Sequence, residues 1–257
     1  MINQSTLETL KEMRLGTMAA TLDEQLKNPE LYRDFCFEER FGLIVDAEWS
    51  KRQSNKLERY IINARFAEPY ASIEAIEYHP DRKLDKSGMI RLSTCKFIDE
   101  KYHIILESAS GNGKTYVSCA LGNAACRKLK TVRYIRMPEL LDELKVAKSC
   151  GTFKKVVKDF TKVELLIIDE WLLRCLSSQE VHDLLEVIES RRNRSMIFCT
   201  QYSSKGWYAR LGTDDDNPVV EAILDRILHN ALEIRIEGDI SMRERHGLKT
   251  RESGWQR

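Results

Sequence analysis

The sequence predicts an α/β fold in which a parallel sheet flanked by helices follows a small all-helical N-terminal domain. Two patterns lead to this prediction. Apolar residues recur at helical spacing from Thr6 to about Phe66, and from Tyr102 onward short apolar runs alternate with helical periods. We therefore expect a helical domain over residues 1–67 and a second domain over residues 68–257.

The N-terminal region reads as a succession of helices. Apolar residues recur there at intervals of three to five, and Pro29 separates a first helical stretch from a second. A domain of about 65 residues has only a marginal hydrophobic core. We therefore expect this domain to bind a partner protein or DNA. The apolar positions of its first stretch are Leu7, Leu10, Met13, Met18, Leu22 and Leu26.

The rest of the chain shows the rhythm of parallel strands joined by helices. Each apolar run is short, and a stretch with helical periodicity follows it before the next run begins. Such alternation is typical of a parallel sheet covered by helices on its faces. The predicted strands are 102–106, 132–135, 165–168, 196–199 and 232–236.

Composition excludes several classes of protein. The chain has 257 residues, with 41 Lys and Arg against 40 Asp and Glu, which does not fit collagen, a coiled coil or a disordered chain. No window has the roughly 18 apolar residues that a spanning helix needs, and the first residues lack a signal peptide's apolar core. We therefore expect a cytoplasmic protein. Seven singly spaced cysteines argue against a zinc site and a disulfide framework.

A phosphate-binding loop follows the first predicted strand. The pattern GxxxxGK[ST] is met at Gly113, Lys114 and Thr115, but Ser108 replaces the first glycine. In such a loop, successive backbone amides point at the β-phosphate of a nucleotide. Lys114 is expected to reach the β- and γ-phosphates of ATP, and the Thr115 hydroxyl to bind Mg²⁺. The expected binding loop comprises Ser108, Ala109, Ser110, Gly111, Asn112, Gly113, Lys114 and Thr115.

Two later strands end in residues suited to ATP hydrolysis. Asp169 and Glu170 end an apolar run, which is typical of a Walker B element: Asp169 would hold Mg²⁺ through water, and Glu170 would polarise the attacking water. The next strand ends in Thr200 and Gln201. In P-loop ATPases that insert a strand between the two Walker strands, a polar residue here senses the γ-phosphate, so either side chain is a candidate.

These motifs together resemble the IstB-like ATP-binding proteins, ATPase helpers of insertion-sequence transposition that are related to the DnaC helicase loader. The resemblance implies a P-loop AAA+ (ASCE) fold, ATP with Mg²⁺, and ATPase activity that depends on assembly and on DNA. It also implies duplex DNA, an IstA-like transposase and further copies of the chain as partners. It extends over nearly the whole chain, in segments 10–15, 39–44, 59–66, 134–144, 168–170, 223–230 and 236–243.

The same resemblance suggests roles for two arginines. Arg226 would be the arginine finger that reaches the ATP of a neighbouring subunit, and Arg243 would contact the nucleotide of its own subunit. A guanidinium stabilises charge that develops on the transferred phosphoryl group, and a finger supplied in trans makes hydrolysis depend on assembly. The family's pattern differs here at Ser108 and at Glu170, where many relatives have a second aspartate.

Two basic runs are candidate DNA-binding surfaces. Residues 144–162 have a net charge of +5, and a second cluster around residues 51–65 has a net charge of +4. Lysines bind phosphates without reading base sequence, so either cluster predicts salt-sensitive, largely non-specific binding. Solvent-exposed helix faces are the simpler interpretation of both. The candidates are Lys145, Lys148, Lys154, Lys155, Lys158 and Lys162 in the first run, and Lys51, Arg52, Lys56, Arg59 and Arg65 in the second.

Three functions remain open on the sequence. The first is an AAA+ ATPase that assembles on duplex DNA and recruits or activates a transposase. A replicative helicase loader of the DnaC type shares every ATPase motif and differs in its partner. A nucleotide-gated DNA clamp with negligible hydrolysis is the third, and Ser108 is the feature in its favour.

Overall fold

A computed structural model describes residues 2–212 and 217–247 of the chain. By their internal contacts the residues fall into two compact units, Met1–Arg59 and Tyr60–Arg257. The division lies inside a long helix, several residues before the boundary expected after residue 67. Within the described ranges, no helix combines the length and the apolar character that crossing a membrane requires.

The first unit is helical. It contains α1 (Ile2–Glu12), α2 (Gly16–Lys27), a short 3-10 turn and most of α3 (Phe37–Ala64). Glu48, a buried residue of α3, joins two of these helices: its Oε2 accepts from the backbone N–H groups of Thr17 and Met18 at 3.0 and 3.1 Å. The first amides of a helix have no partner within it, and a carboxylate also complements the positive end of the helix dipole.

The second unit alternates strands with helices as the sequence predicts. All five expected strands are present; four lie within one residue of their predicted limits, and the third extends three residues further, to Trp171. The strands are β1 (His103–Glu107), β2 (Val132–Arg136), β3 (Leu165–Trp171), β4 (Ser195–Thr200) and β5 (Ala231–Arg235). The helices are α4 (Lys86–Ser93), α5 (Lys96–Asp99), α6 (Lys114–Arg127), α7 (Met137–Ser149), α8 (Phe153–Lys162), α9 (Ser178–Ser190), α10 (Tyr208–Leu211), α11 (Pro218–Leu228) and α12 (Met242–Arg245).

The strands form one parallel sheet in the order β2-β3-β4-β1-β5. Strand β4 therefore lies between β1 and β3, the arrangement expected for a P-loop ATPase with an inserted strand. The central strands are buried on both faces, which explains their continuous apolar runs. Because the strands are parallel, the loops after β1, β3 and β4 emerge at the same edge of the sheet, where ligands of open α/β sheets bind.

Helix α6 packs very closely against the second unit's core at Gly122. A Cβ atom built there would lie 2.4 Å from Phe66 Cε1 and 2.9 Å from Ile167 Cδ1. Both neighbours are buried, so neither can move into solvent to make room. Glycine at this position thus sets the approach of the helix that carries the phosphate-binding loop.

We expect Gly122→Ala to lower the free energy of unfolding by about 1–3 kcal/mol, because overpacking forces side chains and backbone to shift. Urea denaturation would measure the loss. Gly42→Ala is the matched control, since nothing lies within 4 Å of a Cβ at Gly42 inside α3. That substitution should be neutral or should stabilise the protein by about 1 kcal/mol. Equal stability of the Gly122→Ala and parent proteins would contradict the packing argument.

Candidate active site

The loop between β1 and α6 has the backbone expected of a phosphate-binding loop. Gly111 and Gly113 have φ angles of +85° and +86°, a left-handed conformation that favours glycine. Ser108 is not among the described residues with positive φ, so the position where serine replaces the motif's first glycine does not demand glycine. The backbone at position 108 therefore accepts an L-residue such as serine.

Lys114 spans this loop from the first turn of α6. Its Nζ donates to the carbonyl oxygens of Ser108 and Ala109 at 2.6 and 2.7 Å. Burial lowers the pKa of the ammonium group. Both acceptors are neutral carbonyl groups, and no carboxylate among the described residues forms an ion pair with Lys114.

Asp169 lies at the end of β3 with three donors around its carboxylate. Thr115 Oγ1 donates to Oδ2 at 2.6 Å, Tyr134 Oη donates to the same oxygen at 2.8 Å, and the backbone N–H of Glu170 donates to Oδ1 at 2.7 Å. The Thr115 hydroxyl and the Asp169 carboxylate are therefore adjacent oxygen ligands of the kind that Mg²⁺ prefers. The two residues expected to bind Mg²⁺ fit that role by their chemistry and proximity.

Sequence analysis missed Tyr134, whose hydroxyl supports Asp169 from the neighbouring strand. Burial raises the pKa of Tyr134, and the negative charge of Asp169 raises it further, so the hydroxyl remains a donor. The signal available in the sequence was a tyrosine in the middle of the second predicted strand. Its significance depends on the pairing of β2 with β3, which aligns Arg136 with Asp169.

Glu170 projects from an irregular part of β3. Its φ is +56°, and the register between β3 and β4 shifts between Ile168 and Trp171. Such irregularities redirect side chains near active sites. The Glu170 carboxylate lies 3.5 Å from Arg136 Nη1, while Arg136 Nε donates to Glu139 at 3.0 Å. Arg136 is a second site residue that the sequence analysis did not identify.

The structure distinguishes the two candidates after β4. Gln201 lines the cavity beside the phosphate-binding loop. Thr200 is buried and does not line it: its Oγ1 accepts from the backbone N–H of Tyr202 at 3.1 Å. The chain turn after β4 therefore uses Thr200 as a backbone anchor and directs Gln201 into the cavity.

The two predicted arginines lie in different places. Arg243, on α12, lines the cavity that Lys114 also lines. Arg226, near the end of α11, does not line it; Arg226 Nη1 donates to the carbonyl oxygen of Ala222 at 2.8 Å, and Nε pairs with Glu189. Its side chain is 32% exposed. Arg226 is thus separate from the cavity, and its side chain is half-buried.

The cavity has a volume of about 620 Å³, within the usual range for small-molecule sites. It brings together the loop after β1, the acidic end of β3 and Gln201 after β4, with α12 on the other side. The candidate residues that line it are Ser110, Gly111, Gly113, Lys114, Thr115, Asp169, Glu170, Gln201 and Arg243.

The basic residues of α7 and α8 are all exposed, but two of them are held in ion pairs. Lys145, Lys154, Lys155 and Lys158 lie outside these pairs. Lys148 forms an ion pair with Asp183, whose side chain is 9% exposed. Lys162 pairs with Asp159 at 2.7 Å.

In the second basic cluster, which begins within α3, Arg52 has a structural contact. Its Nε donates to Glu48 Oε1 at 2.7 Å, and its Nη2 donates to the carbonyl oxygen of Arg14 at 3.0 Å. These bonds tie Arg52 to the carboxylate that caps α2. Lys51 and Arg59 are exposed, Lys56 is half-buried, and Arg65, just after α3, is exposed.

Comparison with known proteins gives consistent matches. The family model described as IstB-like ATP binding protein matches residues 8–250. A Pseudomonas fluorescens protein named for insertion sequence IS1162 and for ATP binding is 37% identical over 79% of this chain and 88% of its own length. The insertion sequence ATP-binding protein y4pL of Sinorhizobium fredii is 34% identical over 93% of this chain and 96% of its own length.

Solved structures share the fold at lower identity. The crystal structure of DnaI superposes with a TM-score of 0.57 and 22% identity, covering 65% of this chain and 91% of DnaI. The DnaC helicase loader gives a TM-score of 0.53 and 19% identity, covering 65% of this chain and 97% of DnaC. These likenesses confirm the P-loop AAA+ fold that the sequence predicts.

We expect Tyr134→Phe to raise the Mg²⁺ concentration needed for half-maximal ATP binding about tenfold, because Asp169 loses a charge-assisted hydrogen bond. Titrating ATP binding against Mg²⁺ would measure the change. Tyr116→Phe is the matched control: Tyr116 lines the same cavity, but its hydroxyl accepts from the backbone N–H of Ser72 at 3.4 Å. The same shift in both variants would show that the Tyr134–Asp169 bond is not responsible.

Proposed function

The chain belongs to the IstB-like ATP binding proteins, and we propose that it is an AAA+ ATPase that assembles on duplex DNA and recruits or activates a transposase for insertion-sequence transposition. The observation that carries this proposal is the composition of the cavity. One chain supplies Lys114, Asp169, Glu170 and Arg243 to it, whereas Arg226 lies outside at the surface. In the proposed assembly, a second subunit supplies its Arg226 to this cavity.

Nucleotide binding uses the loop and the first turn of α6. Lys114 exchanges its bonds to the two loop carbonyls for bonds to the β- and γ-phosphates of ATP. The Thr115 hydroxyl, and Asp169 through water, would hold Mg²⁺, which would neutralise charge on those phosphates; the two side chains lie 2.6 Å apart. Tyr134 keeps the Asp169 carboxylate oriented from β2.

Hydrolysis requires Glu170 to accept a proton from water that attacks the γ-phosphate. Arg136 Nη1 lies 3.5 Å from the same carboxylate and therefore competes with the attacking water for it. Gln201 is positioned on the cavity wall to orient the water, while Thr200 anchors the turn behind it. Arg243 contacts the nucleotide from α12.

Assembly completes the site through Arg226. This arginine pairs with Glu189 within its own subunit and leaves that partner when it enters a neighbour's cavity. A guanidinium delivered in trans stabilises the transition-state charge, so hydrolysis becomes a consequence of assembly. The same exchange accounts for the ion pair that Arg226 forms with Glu189 before assembly.

Duplex DNA binds along the exposed lysines of α7 and α8. All six predicted lysines are exposed there, and four of them lie outside the ion pairs with Asp183 and Asp159. Contacts from lysine to phosphate bind DNA without reading its sequence. The relatives' names associate them with insertion sequences and with ATP binding. A transposase is therefore the protein partner that this setting supports best.

A helicase-loader function is the second candidate, favoured by the fold shared with DnaI and DnaC. The higher identity to insertion-sequence proteins favours transposition instead. Mixing the full-length chain with the transposase of its insertion sequence, and separately with a replicative helicase, distinguishes the two functions. ATP-dependent co-elution with the helicase alone would favour the loader.

We expect ATP and long duplex DNA together to produce large assemblies in light scattering, and Arg226→Ala to abolish both this growth and most ATP turnover. Arg192→Ala, which removes an exposed arginine, should leave both unchanged. Glu170→Gln should bind ATP and retain the assemblies while losing turnover, because the amide cannot accept the proton.

Two results would overturn this proposal. Turnover by Glu170→Gln at the parental rate would remove Glu170 from catalysis. Parental turnover that is negligible with and without DNA would instead favour the non-hydrolysing clamp.

We expect changing Lys154, Lys155 and Lys158 together to glutamine to reduce the salt dependence of DNA binding. Each lost phosphate contact lowers the slope of log K against log salt by about 0.9, so three contacts remove about 2.7. The control variant changes Lys51, Lys56 and Arg59 to glutamine and removes the same charge from α3. If the control variant loses more of the slope of log K against log salt, the DNA site lies in the N-terminal unit instead.

A further inference from the structure

Arg82 is a buried arginine that contacts the phosphate-binding loop from outside the nucleotide motifs. It ends the short turn Pro80–Arg82 ahead of α4, is 3% exposed, and lines the cavity. Its Nη2 donates to the carbonyl oxygen of Asn112 at 2.8 Å, and its Nη1 donates to the carbonyl oxygen of Glu77. The guanidinium thus bonds directly to the loop backbone one residue before Gly113.

This bond sets the direction of a backbone amide. In a trans peptide the C=O and N–H groups point in opposite directions, so holding the Asn112 carbonyl on Arg82 turns the Gly113 N–H away from it. The preceding peptide is held in the same manner, because the Met242 N–H donates to the Gly111 carbonyl at 2.9 Å. Two successive loop amides are therefore oriented from outside the loop, as an anion-binding nest requires.

Gly113 allows the close approach of the guanidinium. A Cβ atom at this position would lie 3.1 Å from Arg82 Nη2, closer than ordinary packing allows. Glycine is thus required here both by its positive φ and by the neighbouring arginine. The motif's last glycine and Arg82 form one structural unit.

Arg82 has no carboxylate in direct contact among the described residues, although the charges of Glu77 and Asp81 act on it at longer range. Within residues 2–212 and 217–247 no ion pair involves Arg82, and its Nε has no hydrogen-bond partner although it is buried. A buried cation without a directly paired carboxylate is costly. Burial lowers the pKa of this guanidinium, in keeping with that cost. An anion in the adjoining cavity would supply negative charge close to the Arg82 guanidinium.

The turn that carries Arg82 is also tied to the segment that carries Arg243. The Glu237 N–H donates to the Arg82 carbonyl at 3.0 Å, and Arg245 Nη2 lies 2.5 Å from Asp81 Oδ2. Lys83 pairs with Glu237 at 2.6 Å. These bonds hold Arg82 against the loop while the same segment brings Arg243 to the cavity.

We propose that Arg82 is a nucleotide-positioning residue that orients the loop amides and supplies positive charge for the β-phosphate of nucleoside di- and triphosphates. The inference rests on the proposed function, in which ATP binds at this loop. It gives the site a second buried basic group besides Lys114, contributed by a segment ahead of the first strand.

The test measures binding of ATP, ADP and AMP to the full-length parent, Arg82→Gln and Arg82→Lys. Arg82→Gln should weaken ATP and ADP binding at least about tenfold, because a charge-assisted contact is lost, while AMP binding stays constant. Arg82→Lys keeps the charge but not both backbone bonds, so its affinity for ATP and ADP should be intermediate.

Arg191→Lys is the matched control for a purely structural effect. Arg191 is also fully buried and donates to the backbone carbonyls of Phe160, Val163, Glu164 and Ser195, but it does not line the cavity. Unfolding temperatures are recorded beside every affinity. The control should lower the unfolding temperature without changing nucleotide affinity.

Each remaining outcome counts against a stated idea. If the parent binds ATP and Arg82→Gln binds it with the same affinity, the role of Arg82 is overturned and the proposed function is left intact. Equal losses for AMP, ADP and ATP overturn it as well, because they indicate a distorted cavity. If Arg82→Gln does not fold, Arg82→Lys is the deciding variant. An affinity of Arg82→Lys for ATP equal to that of the parent overturns the role of Arg82. A parent protein that does not bind ATP overturns the proposed function itself.

Discussion

The candidate site depends on the pairing of three buried parallel strands. Strand β4 lies between β1 and β3. The phosphate-binding loop, the acid pair Asp169 and Glu170, and Gln201 therefore all emerge at one edge of the sheet. Their backbones have little freedom, because the strands are buried on both faces and their polar groups are paired in the sheet. Precise placement of the candidate catalytic groups follows from this pairing rather than from the loops alone.

The polar groups at that edge are held by contacts that catalysis would exchange for others. Lys114 donates to loop carbonyls, Glu170 lies near Arg136, and Arg226 pairs with Glu189. Each contact gives a charged group a partner. Breaking it costs little free energy, since all three contacts are short-range and two are exposed to solvent. On the proposed function, nucleotide, water and a neighbouring subunit replace these partners in turn.

Strand β2 connects the candidate DNA surface to the acid pair. It supplies Tyr134 to Asp169 and Arg136 to Glu170, and α7 begins at the residue after it ends. The exposed lysines of α7 and α8 therefore belong to the same continuous stretch of chain as the residues that support the acids. This continuity is a physical basis on which DNA contact and hydrolysis could be linked in the proposed function.

The sequence by itself determined the alternation of strands and helices, the phosphate-binding loop and the acid pair, because apolar runs and motif spacing are local properties of the chain. Only the tertiary structure showed that Gln201 rather than Thr200 lines the cavity, and that Tyr134, Arg136 and Arg82 adjoin it. The contacts Tyr134–Asp169 and Arg82–Asn112 join residues 35 and 30 positions apart. Such neighbours depend on strand order and on loop packing, which no local pattern specifies.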